Sequence, residues 1–93
     1  MRKISFSEAT REAMAEMMEK YPECFVMGED IARQGGIFGQ FKGLPAQFPG
    51  RVIDTPISET FIVGGGVGAA LAGARPVVDM HFADFIGVCM DEV

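Results

Sequence analysis

From Ser7 to Lys20, Ala9, Ala13 and Met17 recur every four residues, as do Met14 and Met18. Glu8, Arg11, Glu12, Glu16, Glu19 and Lys20 fill the positions between. This spacing predicts an amphipathic helix with one apolar face. Ser5 or Ser7 supplies its N-cap, and Tyr21-Pro22 ends it. Cys24-Phe25-Val26-Met27 is a short continuous apolar run, the pattern of a buried strand, with Gly28-Glu29-Asp30 at its carboxyl end. Residues 31–42 form a Gly-rich loop, and a helical turn is expected over 43–48, stopped by Pro49-Gly50. Arg51 to Asp54 reads as a second strand. Ser58 caps a helix running to about Leu71, which Gly73 terminates. Pro76 to Met80 reads as a third strand, and Asp84 to Val93 as the start of a third helix. Strands alternating with helices predict an α/β fold, a parallel sheet flanked by helices.

The chain has 93 residues, enough for one small domain. A domain of this size buries only roughly 60–65% of its unfolded surface. Yet 48% of the residues are hydrophobic, among them 7 Met and 8 Phe, more apolar surface than so small a core absorbs. The chain also stops at Met90-Asp91-Glu92-Val93, inside a helical pattern with no cap. Residues 1–93 are therefore expected to be part of a longer chain or of an obligate assembly. The net charge of −5 and the lack of any basic run argue against nucleic acid and anionic membrane surfaces as partners. Cys24 and Cys89 form no C-x-x-C pair, which suits free thiols in a reducing compartment. Residues 60–74 carry no charge, but 15 residues with five glycines are too short to span a bilayer. The N-terminus lacks an apolar stretch of signal-peptide length, so the expected location is cytoplasmic.

Against this background Glu59 stands out, since it opens the helix that is otherwise uncharged to Ala74. A carboxylate at a helix start usually serves as a cap or a dipole partner. One leading into so apolar a helix is also suited to a buried interface, where its pKa would rise and it could hold or share a proton. The glycines that follow each cost roughly 1 kcal/mol against Ala in a helix interior. Close approach of helix to helix or sheet is the expected compensation, through Gly64, Gly68 and Ala72 or Gly65, Ala69 and Gly73. Gly64-x-Gly66-x-x-Ala69 also fits a relaxed dinucleotide-binding pattern. That pattern must directly follow a strand and open its helix, and here the helix starts six residues earlier.

His81 is the only histidine, so there is no His-based metal cluster, and no metal ligand set is assigned. A lone His at a strand end is more often hydrogen-bonded within the structure than a ligand. Phe82 and Phe85 beside it read first as core. Glu29, Glu59, His81 and Phe85 all follow strand ends, however, and in a parallel sheet those ends gather on one edge. A convergent site there is one reading; turn caps and core packing are the other.

Gly28-Glu29-Asp30, Gly35-Gly36-Ile37-Phe38, Arg51-Val52-Ile53-Asp54-Thr55-Pro56-Ile57-Ser58-Glu59, Ile62-Val63-Gly64, Gly68-Ala69-Ala70-Leu71-Ala72-Gly73, Arg75-Pro76-Val77 and Phe82-Ala83-Asp84-Phe85 occur in this order. Together they resemble the beta subunit of the thiamine-diphosphate-dependent 2-oxo acid dehydrogenases, the pyruvate, acetoin and branched-chain group. The resemblance covers essentially the whole chain and places it in the N-terminal part of a transketolase-like pyrimidine-binding domain. It implies that Glu59 hydrogen-bonds the aminopyrimidine of thiamine diphosphate, that Ile57 and Ser58 line the same turn, and that Phe85 packs on the ring. Glu29 matches an acidic residue near the cofactor. His81 falls at a pocket-lining position where the family often has Gln or Met.

The resemblance further implies oxidative decarboxylation of a 2-oxo acid and acyl transfer to lipoyl. Implied partners are an alpha subunit, which holds the diphosphate and its magnesium, a second beta subunit and a lipoyl-bearing acyltransferase. The glutamate needs a raised pKa for this task, which burial at a subunit interface would supply. The chain by itself is expected to be inactive. A non-catalytic structural or interaction segment of the same fold is the alternative. A nicotinamide dehydrogenase would require Gly64 in a loop. The residues do not separate pyruvate, acetoin and branched-chain oxo acids.

Overall fold

A computed structural model describes residues 3–36, 39–82 and 86–93. Three helices and three strands follow one another as α1 (Phe6–Lys20), β1 (Cys24–Gly28), α2 (Leu44–Gln47), β2 (Val52–Asp54), α3 (Glu59–Leu71) and β3 (Arg75–Asp79). The strands form one parallel sheet in the order β2-β1-β3, as the alternating pattern predicts. The central strand pairs Val26 with Val52 on one side and with Val77 on the other. It is the most apolar of the three, as a strand with no free edge should be.

Local chemistry sets the element boundaries. Ser5, not Ser7, caps α1, its Oγ accepting from the Glu8 N–H at 3.1 Å. Ser58 caps α3 and accepts from the Phe61 N–H at 3.3 Å. Gly73, at φ +105°, ends that helix in a conformation that L side chains rarely adopt. No α-helix forms over 86–93. The backbone bonds there run from Cys89 N–H to Ile86 O and from the Glu92 and Val93 N–H groups to Cys89 O. Gly87 lowers the helix propensity of this segment. The proposed start of that helix at Asp84 lies outside the described residues.

The two long helices cover opposite faces of the sheet. Met14 and Met18 of α1 pack on Cys24, Val26 and Val52, and Ile31, Phe41, Leu44 and Phe48 complete this core from the loop and α2. The other apolar row expected of α1 turns outward: Ala9 and Ala13 are exposed and Met17 is 46% exposed. The buried surface is narrower than the apolar positions suggest. On the far face α3 comes close at its glycines. A Cβ on Gly66 would lie 2.8 Å from Val78 Cγ1, and one on Gly65 would lie 3.3 Å from Met27 Cε. Gly68 faces open space, so close packing explains only part of the glycine run. The outward side of α3 leaves Phe61, Val67 and Leu71 exposed, Leu71 at 85%.

One side chain joins α1, β1 and β2. Arg51 Nε donates to the Cys24 carbonyl at 3.0 Å. Its Nη2 donates to the carbonyls of Met18 (2.6 Å), Tyr21 (2.8 Å) and Cys24 (2.7 Å). It thereby satisfies carbonyls that the end of α1 leaves without a helical partner. The guanidinium also lies over the Phe48 ring, 5.3 Å from its centroid. Lysine cannot reproduce this fork. Arg51→Lys is expected to lower stability by about 2 kcal/mol, in the range of charge-assisted hydrogen bonds, measured by urea denaturation. A change within about 0.5 kcal/mol, as for an ordinary surface substitution, would contradict the role given to Arg51.

Candidate functional site

The carboxyl ends of the strands bring the acidic residues together. Gly28 ends β1 and pairs with Asp54 of β2 and Asp79 of β3, so two aspartates flank one glycine in a single row. The glycine is required there: a Cβ would lie 2.9 Å from Asp79 Cβ and 3.0 Å from its carbonyl oxygen. Because position 28 has no side chain, the two carboxylates can turn to different tasks.

Asp54 organises the loop after β1. Its Oδ1 accepts from the N–H groups of Ile31 (2.8 Å) and Ala32 (2.7 Å), and its Oδ2 from Arg33 (3.1 Å). Three N–H donors on one carboxylate form a charge-assisted clamp. The Thr55 N–H donates to the Gly28 carbonyl at 2.8 Å and ties the turn after β2 to the end of β1. That turn carries Ile57 and Ser58 into α3. Ile57 is 80% exposed, an apolar side chain presented to solvent in the turn after β2. The Ser58 hydroxyl is committed to the α3 cap. Glu59 is the first residue of α3 and is half-buried. Its charge at a helix N-terminus is favourable, and no other charge follows within that helix.

Glu29 and His81 meet beyond the carboxyl ends of β1 and β3. Glu29 is 8% exposed. His81 Nε2 lies 2.7 Å from the Glu29 carbonyl oxygen, and its Nδ1 lies 3.7 Å from Glu29 Oε2. Nε2 is also 3.6 Å from Asp79 Oδ2. Asp79 Oδ2 is buried without a hydrogen-bond partner. Burial pushes the Asp79 carboxyl above the usual carboxylate range, and the neighbouring His81 ring only partly offsets this. Among the described residues, no group of three or more His, Cys, Asp or Glu side chains is arranged to hold a metal ion.

Of the residues singled out from the sequence, Glu29 and His81 are in contact, while Ile57 and Ser58 lie in the turn before α3 and Glu59 opens that helix. Phe85 lies outside the described residues. Phe82, expected in the core, is 49% exposed. Gly64 is inside α3, so the dinucleotide-loop reading does not apply. The roles of Asp54 and Asp79 were not anticipated as they stand. The available signal was their position, an aspartate closing each of two apolar strands that flank a glycine-ended third.

Comparison with known proteins agrees with this architecture. Residues 2–93 match the family described as "Transketolase, pyrimidine binding domain". The chain is 45% identical over 91 residues to the 2-oxoisovalerate dehydrogenase subunit beta of Bacillus subtilis, covering 97% of this chain and 28% of that protein. It is 39% identical over 102 residues to the acetoin:2,6-dichlorophenolindophenol oxidoreductase subunit beta of Cupriavidus necator, covering 99% of this chain and 30% of the relative. It is 45% identical over 91 residues to the pyruvate dehydrogenase E1 component subunit beta of Rickettsia bellii, again covering 97% and 28%. The chain thus spans under a third of the length of these relatives. No helix among the described residues is long and apolar enough to cross a membrane.

The buried Asp79 carboxyl generates a signed prediction. A raised folded-state pKa means the folded chain holds that proton more tightly than the unfolded chain. The associated stability is complete below the ordinary carboxylate range and is lost as pH rises through the folded value. Asp79→Asn keeps the shape and removes the charge. Its stability relative to the parent is expected to be greater near pH 7 than in acid, with the advantage shrinking as pH falls into the carboxylate range. Denaturation midpoints measured across pH check this; a stability difference independent of pH would contradict it.

Proposed function

Since this chain belongs to the family of transketolase pyrimidine-binding domains, we propose that it is the N-terminal part of that domain in the beta subunit of a 2-oxo acid dehydrogenase. The complete enzyme would take pyruvate, a branched-chain 2-oxo acid or acetoin, the substrates named for its relatives. The observation that carries this reading is Glu59, a half-buried carboxyl that opens an uncharged helix next to an exposed Ile57. This donor set fits an aminopyrimidine, which needs a carboxyl partner for its ring nitrogen and an apolar wall for its face.

When bound, thiamine diphosphate supplies the electron sink that lets a 2-oxo acid lose carbon dioxide. The Glu59 carboxyl would hold or share a proton at the pyrimidine N1′. Ile57 would give apolar contact to the ring. Ser58, committed to its cap, would fix the direction in which Glu59 enters the helix. Glu29, backed by His81, would close another side, and Phe85 would stack on the ring. An alpha subunit would hold the diphosphate and its magnesium, and a lipoyl-bearing acyltransferase would take the acyl group. The exposed apolar face of α3 and the exposed Ile86, Val88 and Met90 suit burial against other chains of the assembly, a second beta subunit among them. Such a cover would also shield Glu59 from water. The cytoplasm is the compartment that fits.

Glu59→Gln keeps the shape and the hydrogen-bonding reach but loses the exchangeable acid. In the assembled enzyme it is expected to lower 2-oxo acid turnover by about 10²-fold or more, with assembly intact. Steady-state kinetics and sedimentation of the same preparation test this. Near-normal turnover would favour the rival reading, a segment of this fold without a catalytic role.

A further inference from the structure

We propose that His81 is a positioning residue, which fixes the Glu29 carboxyl at the sheet's edge by clasping the carboxyl ends of β1 and β3. Four observations converge. The Nε2 atom of His81 is 2.7 Å from the Glu29 carbonyl oxygen. A carbonyl can only accept, so Nε2 carries a hydrogen. The Nδ1 atom faces Glu29 Oε2 at 3.7 Å, ion-pair rather than hydrogen-bond range. One imidazole thus bonds the backbone of Glu29 and lies against its side chain. Asp79, on the strand that leads to His81, lies 3.6 Å from Nε2 on its other side and presents a buried oxygen without a hydrogen-bond partner.

The backbone carries the same message. His81 has φ +64°, in the left-handed region that is uncommon for residues other than glycine. The chain adopts it two residues after β3 ends, and the ring there lies against Glu29. A non-glycine residue persists in this conformation where its contacts over-determine it. The ring is nearly buried, with 11% of its side chain exposed, and the Glu29 side chain is equally enclosed at 10%. The charged groups facing the ring among the described residues are Glu29, from the segment after β1, and Asp79, from β3. Each comes from a different strand end, so the ring holds the two ends together.

The consequence for chemistry rests on the functional reading above. If the sheet's edge holds a cofactor, His81 serves it through Glu29 and not by its own contact. Loss of the ring would release a carboxylate that burial and pairing otherwise hold in one place.

Two measurements separate the clasp from that reading. The first needs no activity: ¹⁵N spectra of the imidazole, assigned by comparison with His81→Gln. A hydrogen on Nε2 is expected. A neutral ring with its hydrogen on Nδ1 would overturn the clasp. The second uses the assembled enzyme with pyruvate and 2-oxoisovalerate. His81→Ala is expected to lower kcat/KM by about tenfold or more, as misplacement of a site group does. His81→Gln, which keeps an N–H donor for the Glu29 carbonyl, is expected to recover most of the loss. In a Glu29→Gln background, His81→Ala should add less than about a twofold further loss, because the two residues act as a unit. Losses that multiply independently would contradict action through Glu29. If the parent enzyme turned over neither substrate nor acetoin, the functional reading would fall, and the imidazole tautomer would still decide the clasp.

Discussion

The double-sided pairing of β1 is the constraint on which the rest of the structure depends. With β2 on one edge and β3 on the other, β1 sets the level at which all three strands end. Gly28 is the last residue of that strand, and its bare Cα lets Asp79 come in where any side chain would collide. The aspartates on either side then diverge. Asp54 turns to the N–H groups of the following loop, and Asp79 stays buried beside His81. A shift of one residue in the pairing of β1 would exchange the two faces of the strand. Cys24 and Val26 would leave the α1 core, and Glu29 would no longer meet His81.

Most of the fold was legible in the residue pattern, because its elements carry strong local signals. Ser58, an uncharged helical run and Gly73 mark α3 from end to end, and Cys24 to Met27 is too short and too apolar for anything but a buried strand. Signals were weaker where tertiary contact decides. The spacing of α1 puts Ala9, Ala13 and Met17 on one apolar face with Met14 and Met18, and only Met14 and Met18 are buried in the core. The apolar end of the chain reads as a helix, yet 86–93 forms turns in place of an α-helix. Arg51 gave no sign of its role, since its partners are backbone carbonyls at the end of α1, a whole strand earlier in the chain.

The site divides along the same line. Glu59 is recognisable from the chain alone because a single carboxylate in an uncharged context is a local anomaly. The clasp between Glu29 and His81 joins residues 52 positions apart and depends on a left-handed backbone at a histidine, which no local pattern announces. Under the proposed reading, the strands would build one side of a site at their carboxyl ends: an acidic edge, an outward Ile57 and a carboxyl at the start of α3. A half-site of this kind gains its chemistry when another surface excludes water from it, since charge and proton sharing strengthen as the local dielectric falls. The apolar residues left exposed along α3 are consistent with such a cover.

The most direct test of this half-site is hydrogen–deuterium exchange of the assembled enzyme with and without thiamine diphosphate and magnesium. Slowed exchange through the turn that carries Ile57 and Ser58 and through the first turn of α3 is the expected result. Unchanged exchange there, with protection confined to the glycine-rich loop between β1 and α2, would contradict a cofactor held at Glu59.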